Sequence, residues 1–193
     1  MVRFADDSVF CFEYEEDALR FYKALRVRLA KFELEVSEEK TKIVCLRKED
    51  KDDDGNKPSF DFLGFTHYRK RTNNGATFIT RKTSKKKFMQ SLKKCKEWMK
   101  ANRTMPTKMF MKKLNMKLNG YCNYYAISGN TKKVKDYLDK CRSFVFKWLN
   151  RRSQKRSFNW DKFVLFMKKY PLPKGVVRVN LYNRTIGLSY LSK

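Results

Sequence analysis

The sequence leads to an α+β fold, with antiparallel strands and one helix followed by an all-α three-helix bundle. Three observations carry that expectation. Short runs rich in Val, Phe and Thr, separated by turn residues, occupy much of residues 1–83. Apolar residues recurring every three or four positions occupy most of 84–170. The charge divides at nearly the same place: residues 1–80 hold 15 Lys/Arg and 16 Asp/Glu, whereas 81–193 hold 31 and 4. The expected domains are therefore 1–83 and 84–193.

In the first part, "VRF" and "SVFCFEY" read as short strands joined by the tight connection "ADD", a place where Asp is at home. From Glu15 to Phe32 the period changes to helix, with Ala18, Phe21, Tyr22, Leu25, Leu29 and Phe32 on one stripe. Glu15, Glu16 and Asp17 crowd its start, where the helix dipole favours acids. "ELEVSEEKTKIVCL" reads as strand again, and "RKEDKDDDGNKPS" as a charged loop. "FDFLGFTHY" and "ATFIT" read as two more strands, with "TNNGA" turning between them.

In the second part, one helical stripe comprises Phe88, Leu92, Cys95 and Met99. After Pro106 a second comprises Phe110, Leu114, Leu118, Tyr121, Cys122 and Tyr125. After Ser-Gly-Asn a third comprises Val134, Tyr137, Leu138, Cys141, Val145, Trp148 and Leu149. A short fourth helix runs from Trp160 to about Met167 and is stopped by "YPLP". Lys and Arg load the opposite faces, so the helices bury one side each and suit a small bundle. Trp148 and Trp160 are expected in its core. The tail "GVVRVNLYNRTIGLSYL" is apolar enough to dock as a strand or loop.

Bulk properties narrow the function. No apolar run approaches the roughly 20 residues that span a bilayer, and the strand-like, acidic opening is unlike a signal peptide. The five cysteines form no C-x-x-C pair and His67 is the one histidine, which argues against structural zinc and for a reducing, cytoplasmic setting. The net charge of +26, concentrated after residue 80, points to a polyanion, nucleic acid before membrane. Asp6 and Asp7 at a hairpin tip suit phosphoryl-transfer chemistry, in which two Mg2+ ions about 3.5–4 Å apart neutralise charge and prefer carboxylate oxygen. Such a site usually takes a third carboxylate from a neighbouring strand. A solvated Asp-Asp turn is the alternative.

The order of motifs adds to this. "RFADDSVF", a helix, "LEVSEEKTKIV" and then "FDFLGF" resemble the last palm motifs of reverse transcriptases, and most of all those encoded by group II introns. "FADD" stands at the family's metal-binding hairpin, "SEEKTKI" at its Lys-Thr segment, and "FDFLGF" at the hairpin that holds the primer end. "LNMKLNGYCNYY", "YLDKCRSFVFKWLNRRSQK" and "SFNWDKFVLFMKKYPLP" resemble its thumb, the maturase-specific domain X. The resemblance covers nearly the whole chain and weakens after about residue 182. It implies a partial polymerase palm followed by a thumb-like bundle.

The resemblance also implies roles. Asp6 and Asp7 would hold Mg2+, Phe4 would pack beneath the incoming nucleotide, and Lys40 would assist the leaving pyrophosphate. Leu63 and Gly64 would form the primer grip. Lys85, Lys86, Lys87, Lys93, Lys94, Lys112, Lys113 and Lys117 would face phosphates, contacts that give affinity without reading sequence. Asn123 and Tyr124 would be available to RNA, while Tyr121 and Tyr125 serve the core. The implied activity is RNA-directed DNA synthesis from an RNA template; the implied partners are intron or template RNA and an RNA/DNA duplex.

The fingers, and the palm strand that carries the family's other essential aspartate, have no counterpart in the sequence, and Asp61 is no substitute because it falls in the primer-grip match. The expectation is a fragment, a split protein that rejoins a separate N-terminal half, or a reading frame begun at an internal Met. It is expected to be inactive alone. The alternative is a non-catalytic RNA-binding, maturase-like module.

Overall fold

A computed structural model describes residues 1–46, 58–72, 74–152 and 159–181. The chain forms two compact units, Met1–Thr80 and Arg81–Lys193. Most of the charged loop expected after Leu46 lies outside the described residues.

In the first unit, β1 (Val2–Phe4) and β2 (Asp7–Val9) make an antiparallel hairpin with the register Val2↔Val9, Arg3↔Ser8 and Phe4↔Asp7. Directly opposed residues share a face, so Val2, Phe4, Asp7 and Val9 lie on one side of the ribbon. Helix α1 (Glu15–Ala30) opens with three acids and packs Phe21 against Phe10 and Phe12, at ring-centroid distances of 4.5 and 5.2 Å. No residue of α1 is buried. A three-stranded sheet follows in the order β3 (Ser59–Phe62), β4 (Phe65–Arg71), β5 (Thr77–Thr83).

Two expectations need correction here. Residues 34–46 form no strand: alternation assigns side chains to faces but supplies no partner ladder, and Leu34 and Ile43 stay exposed. The chain instead turns at Ser37, whose carbonyl accepts from the amides of Lys40 and Thr41. "FDFLGFTHY" is two strands rather than one. It folds back at Leu63–Gly64, both with left-handed backbone (φ 48° and 79°), the geometry that matches strand twist in a two-residue hairpin. The hairpin implied by "FDFLGF" is therefore present.

The second unit holds α2 (Lys85–Ala101), α3 (Thr107–Tyr125), α4 (Thr131–Leu149) and α5 (Trp160–Lys169). Ser84 caps α2 by accepting from the Lys87 amide, and Asn159 caps α5 by accepting from that of Lys162. The stripes read from the sequence form one core, in which Met99, Phe110, Leu114, Leu118, Val134, Cys141 and Val145 are fully enclosed. α5 adds Phe163 to the same core. Trp148 is buried as expected, but Trp160 is 54% exposed. It is the first residue of α5, and Phe163, one turn on, takes the interior position. Trp160 lies edge-on to Phe146 with the Arg142 guanidinium 5.7 Å from its ring.

Polar ties lock the bundle. Asn130 is buried and accepts from the Thr83 amide, and its Nδ2 donates to Thr83 Oγ1 and to the Tyr125 carbonyl, each at 2.8 Å. The tail docks through a parallel bridge, Ile127↔Val179, with the Arg178 amide donating to the Ala126 carbonyl at 2.7 Å. Arg152 donates to Thr107 Oγ1 at 2.8 Å and lies over Phe110, and burial lowers its pKa. Asn130→Ala would leave buried groups on β5 and α3 unpaired, and should cost about 2–4 kcal/mol, read as a lower urea midpoint with an unchanged slope.

Candidate functional site

The acidic candidates sit at the β1–β2 tip. The register Phe4↔Asp7 leaves Ala5 and Asp6 as the two loop residues, so Asp6 stands in the turn and Asp7 begins β2. Both are exposed. Ala5 has φ 49°, a left-handed backbone that an alanine adopts at a cost. Arg3, not singled out in the sequence, closes over the tip by donating from Nε to the Ala5 carbonyl at 3.0 Å. A strand arginine three residues before an Asp pair was a signal available in the sequence. Phe4 is 63% exposed on the face that Asp7 shares.

Asp6 and Asp7 offer the hard oxygen donors that Mg2+ prefers. Among the described residues no third Asp, Glu, His or Cys joins them in a group able to hold a metal. Asp61 is taken up within its own hairpin, accepting from Thr66 Oγ1. Lys40 is exposed in the turn at Ser37. Leu63 and Gly64 are half-buried at the tip of β3–β4, which belongs to a separate sheet from the acids.

The basic candidates lie on the helical unit, and all eight lysines are exposed. Their positions sort them into rows. Along α2, Lys87, Lys94 and Trp98 fall seven and eleven residues apart, on one line beside the buried stripe. Lys117 of α3 places its ammonium 5.3 Å from the Trp98 ring, and Lys113 stands one turn before it. Lys87, Lys94, Lys113 and Lys117 thus form one basic face across α2 and α3. Lys86 and Lys93 make a second line along α2, with Lys85 at its start. Lys112 occupies another line of α3, shared with Asn119 and Asn123.

The aromatic candidates divide as expected. Tyr121 and Tyr125 are half-buried, with Tyr121 stacked on Tyr137 at 3.7 Å, whereas Tyr124 is 53% exposed. Burial pushes the phenols of Tyr121 and Tyr125 up, so both remain neutral donors rather than charges. Asn123 is exposed but not unengaged: its Oδ1 accepts from Arg178. Arg178 was missed because it lies 55 residues from its partner. Deeper in, the Cys95 and Cys141 sulfurs lie 3.5 Å apart. The hydrogen bond to Cys95, and then burial, push the Cys141 thiol up, so this pair reads as packing.

Two family models match the chain. Residues 1–67 match that of reverse transcriptases (RNA-dependent DNA polymerase), and residues 85–165 match that of the group II intron, maturase-specific domain. The first match contains both the Asp pair and Lys40, and the second contains all eight lysine candidates; Arg178 lies beyond it. No curated protein matches the chain. Among the described residues no helix is long and apolar enough to cross a membrane.

The backbone at Ala5 yields a local test. Ala5→Gly should slow amide exchange across the hairpin by about two- to fivefold by relieving the left-handed position. Ala5→Val should speed it.

Proposed function

We propose that this chain, which belongs to the group II intron reverse transcriptase/maturase family, binds intron or template RNA along the lysine-bearing face of its helical unit. In this reading it presents Asp6 and Asp7 as part of a polymerase metal site. The observation that carries the reading is the row Lys87–Lys94 on α2 continued by Lys113–Lys117 on α3, four exposed ammonium groups on a bundle with a closed core. A rigid bundle holds such charges at fixed spacing, which suits the repeated phosphates of a nucleic acid strand. Lys85, Lys86, Lys93 and Lys112 extend the charge around it. Contacts of this class carry affinity and register rather than sequence preference. An RNA/DNA duplex would use the same face of the helical unit; in the first unit, Leu63 and Gly64 are assigned to the primer grip.

Reverse transcriptases work with Mg2+. When bound, the ions would neutralise charge on the reacting phosphate, with Asp6 and Asp7 as ligands and Lys40 as the residue beside the leaving pyrophosphate. Nucleotide transfer is assigned to an assembly that brings a further carboxylate to these two. What supports this is the burial of the first unit, where Phe65 and Thr80 are the buried residues among those described. Val2 and Phe4 flank Asp7 on a bare apolar face, with 59% and 63% of their surfaces exposed. A palm strand from a separate N-terminal half would cover that face and bring the carboxylate with it. The second reading, an RNA-binding maturase module without synthesis, rests on the same basic face and leaves Asp6 and Asp7 idle.

Two measurements test the proposal. RNA binding should weaken steeply with salt. Replacing Lys87, Lys94, Lys113 and Lys117 together by Gln should lower the magnitude of the log–log salt slope by about three, at about 0.7–0.9 per phosphate contact. An unchanged slope would remove this face from the interface. Adding the upstream half in trans should restore Mg2+-dependent primer extension that Asp6→Asn abolishes, whereas salt-sensitive binding without extension selects the module.

A further inference from the structure

Arg178 is exposed, yet its side chain has a defined place. Its main chain is laced to the α3–α4 turn: the Arg178 and Val179 amides donate to the Ala126 carbonyl, and the Ser128 amide donates to the Val179 carbonyl. Ser128 Oγ further donates to Asn180 and accepts from the Leu181 amide at 2.8 Å. From that anchored base the guanidinium reaches back along α3. Nη2 donates to Asn119 Oδ1 at 2.6 Å, and Nη1 donates to Asn123 Oδ1 and, at 3.5 Å, to the Asn119 carbonyl.

A guanidinium has donors and no acceptor. A carboxamide facing it must therefore present oxygen, which turns its NH2 group the other way. Asn119 and Asn123 lie one turn apart on α3, so the fork of Arg178 sets both amides at once. The result is a patch of donors: two NH2 groups, the Arg178 charge behind them, and Lys112 on the same line of the helix. Among the described residues no carboxylate pairs with Arg178. Such a patch matches an anionic acceptor.

We propose that Arg178 is a positioning residue that orients Asn119 and Asn123 to donate to a backbone phosphate of bound RNA. This rests on the RNA-binding reading above and adds a phosphate site outside the α2–α3 basic face. The site differs in kind from that face. Lysines contribute through charge, whereas here neutral amides contribute through direction, and the cation contributes mainly by fixing them.

The test uses the full chain and fluorescence anisotropy with labelled oligo-U, oligo-A and oligo-C RNA. Asn123→Asp keeps the oxygen that Arg178 holds but removes the NH2 donor. Met116→Asp adds the same charge seven residues earlier on the same exposed line of α3 and leaves both amides intact. Asn123→Asp should weaken binding by about tenfold more than Met116→Asp, by the same factor for all three RNAs. Arg178→Lys keeps the charge and loses the fork, so affinity should fall while the salt slope stays at the wild-type value. Equal losses in the two Asp variants, or wild-type affinity in Arg178→Lys, would overturn the inference. A loss that differs among the three RNAs would overturn the phosphate assignment in favour of a base acceptor. Absence of RNA binding by the wild-type chain would overturn the parent reading and this inference with it.

Discussion

The Asn130 carboxamide sits where the end of β5, the C-terminus of α3 and the N-terminus of α4 converge, and its hydrogen bonds make these segments depend on one another. It occupies the cap position of α4 but does not cap that helix; its side chain is committed to Thr83 and Tyr125 instead. A buried amide with all its main partners in place admits one arrangement. The neighbouring turn then receives the tail at Ile127, Ser128 and Ala126. The rotational setting of α3 against α2 and α4, and with it the direction of every lysine row, follows from this joint together with the apolar core.

Charge is what the core has to withstand. With 31 basic residues against 4 acidic ones after residue 80, most cations there have no carboxylate to pair with, whatever the arrangement. Lys133 meets Asp136 at 3.9 Å, an exposed pair of the kind that contributes little. Like charges held at fixed spacing repel, and a polyanion relieves that repulsion while releasing its own counterions. The same feature that burdens the folded unit therefore favours nucleic acid. The first unit has the opposite character: nearly balanced charge, and apolar side chains such as Phe4, Val27 and Phe32 left uncovered.

The parts of this molecule that were legible in the sequence were those governed by local periodicity. The stripes of α2, α3 and α4 are buried as their three- and four-residue spacing requires, and the Asp pair stands at a hairpin tip as the turn chemistry requires. What misled was information that is not local. The alternation in residues 34–46 says which side chains share a face, but a strand also needs a neighbour. Trp160 is large and apolar, yet its place at the first position of α5 leaves the interior to Phe163. Within "FDFLGFTHY", composition reads as one strand, and only the paired left-handed residues Leu63 and Gly64 divide it. Asn130 and Arg178 were invisible, since Asn130 reaches Thr83, 47 residues away, and the Arg178 guanidinium reaches partners 55 and 59 residues away.

RNA binding by this chain depends on one basic face of the helical unit. Lysine footprinting by mass spectrometry addresses that directly, by comparing the acylation of each lysine in the full chain with and without bound RNA. Lys87, Lys94, Lys113 and Lys117 should lose reactivity on binding, while Lys168, Lys169 and Lys174 react as before. Protection spread evenly over all lysines, or confined to the residues around α5, would contradict it.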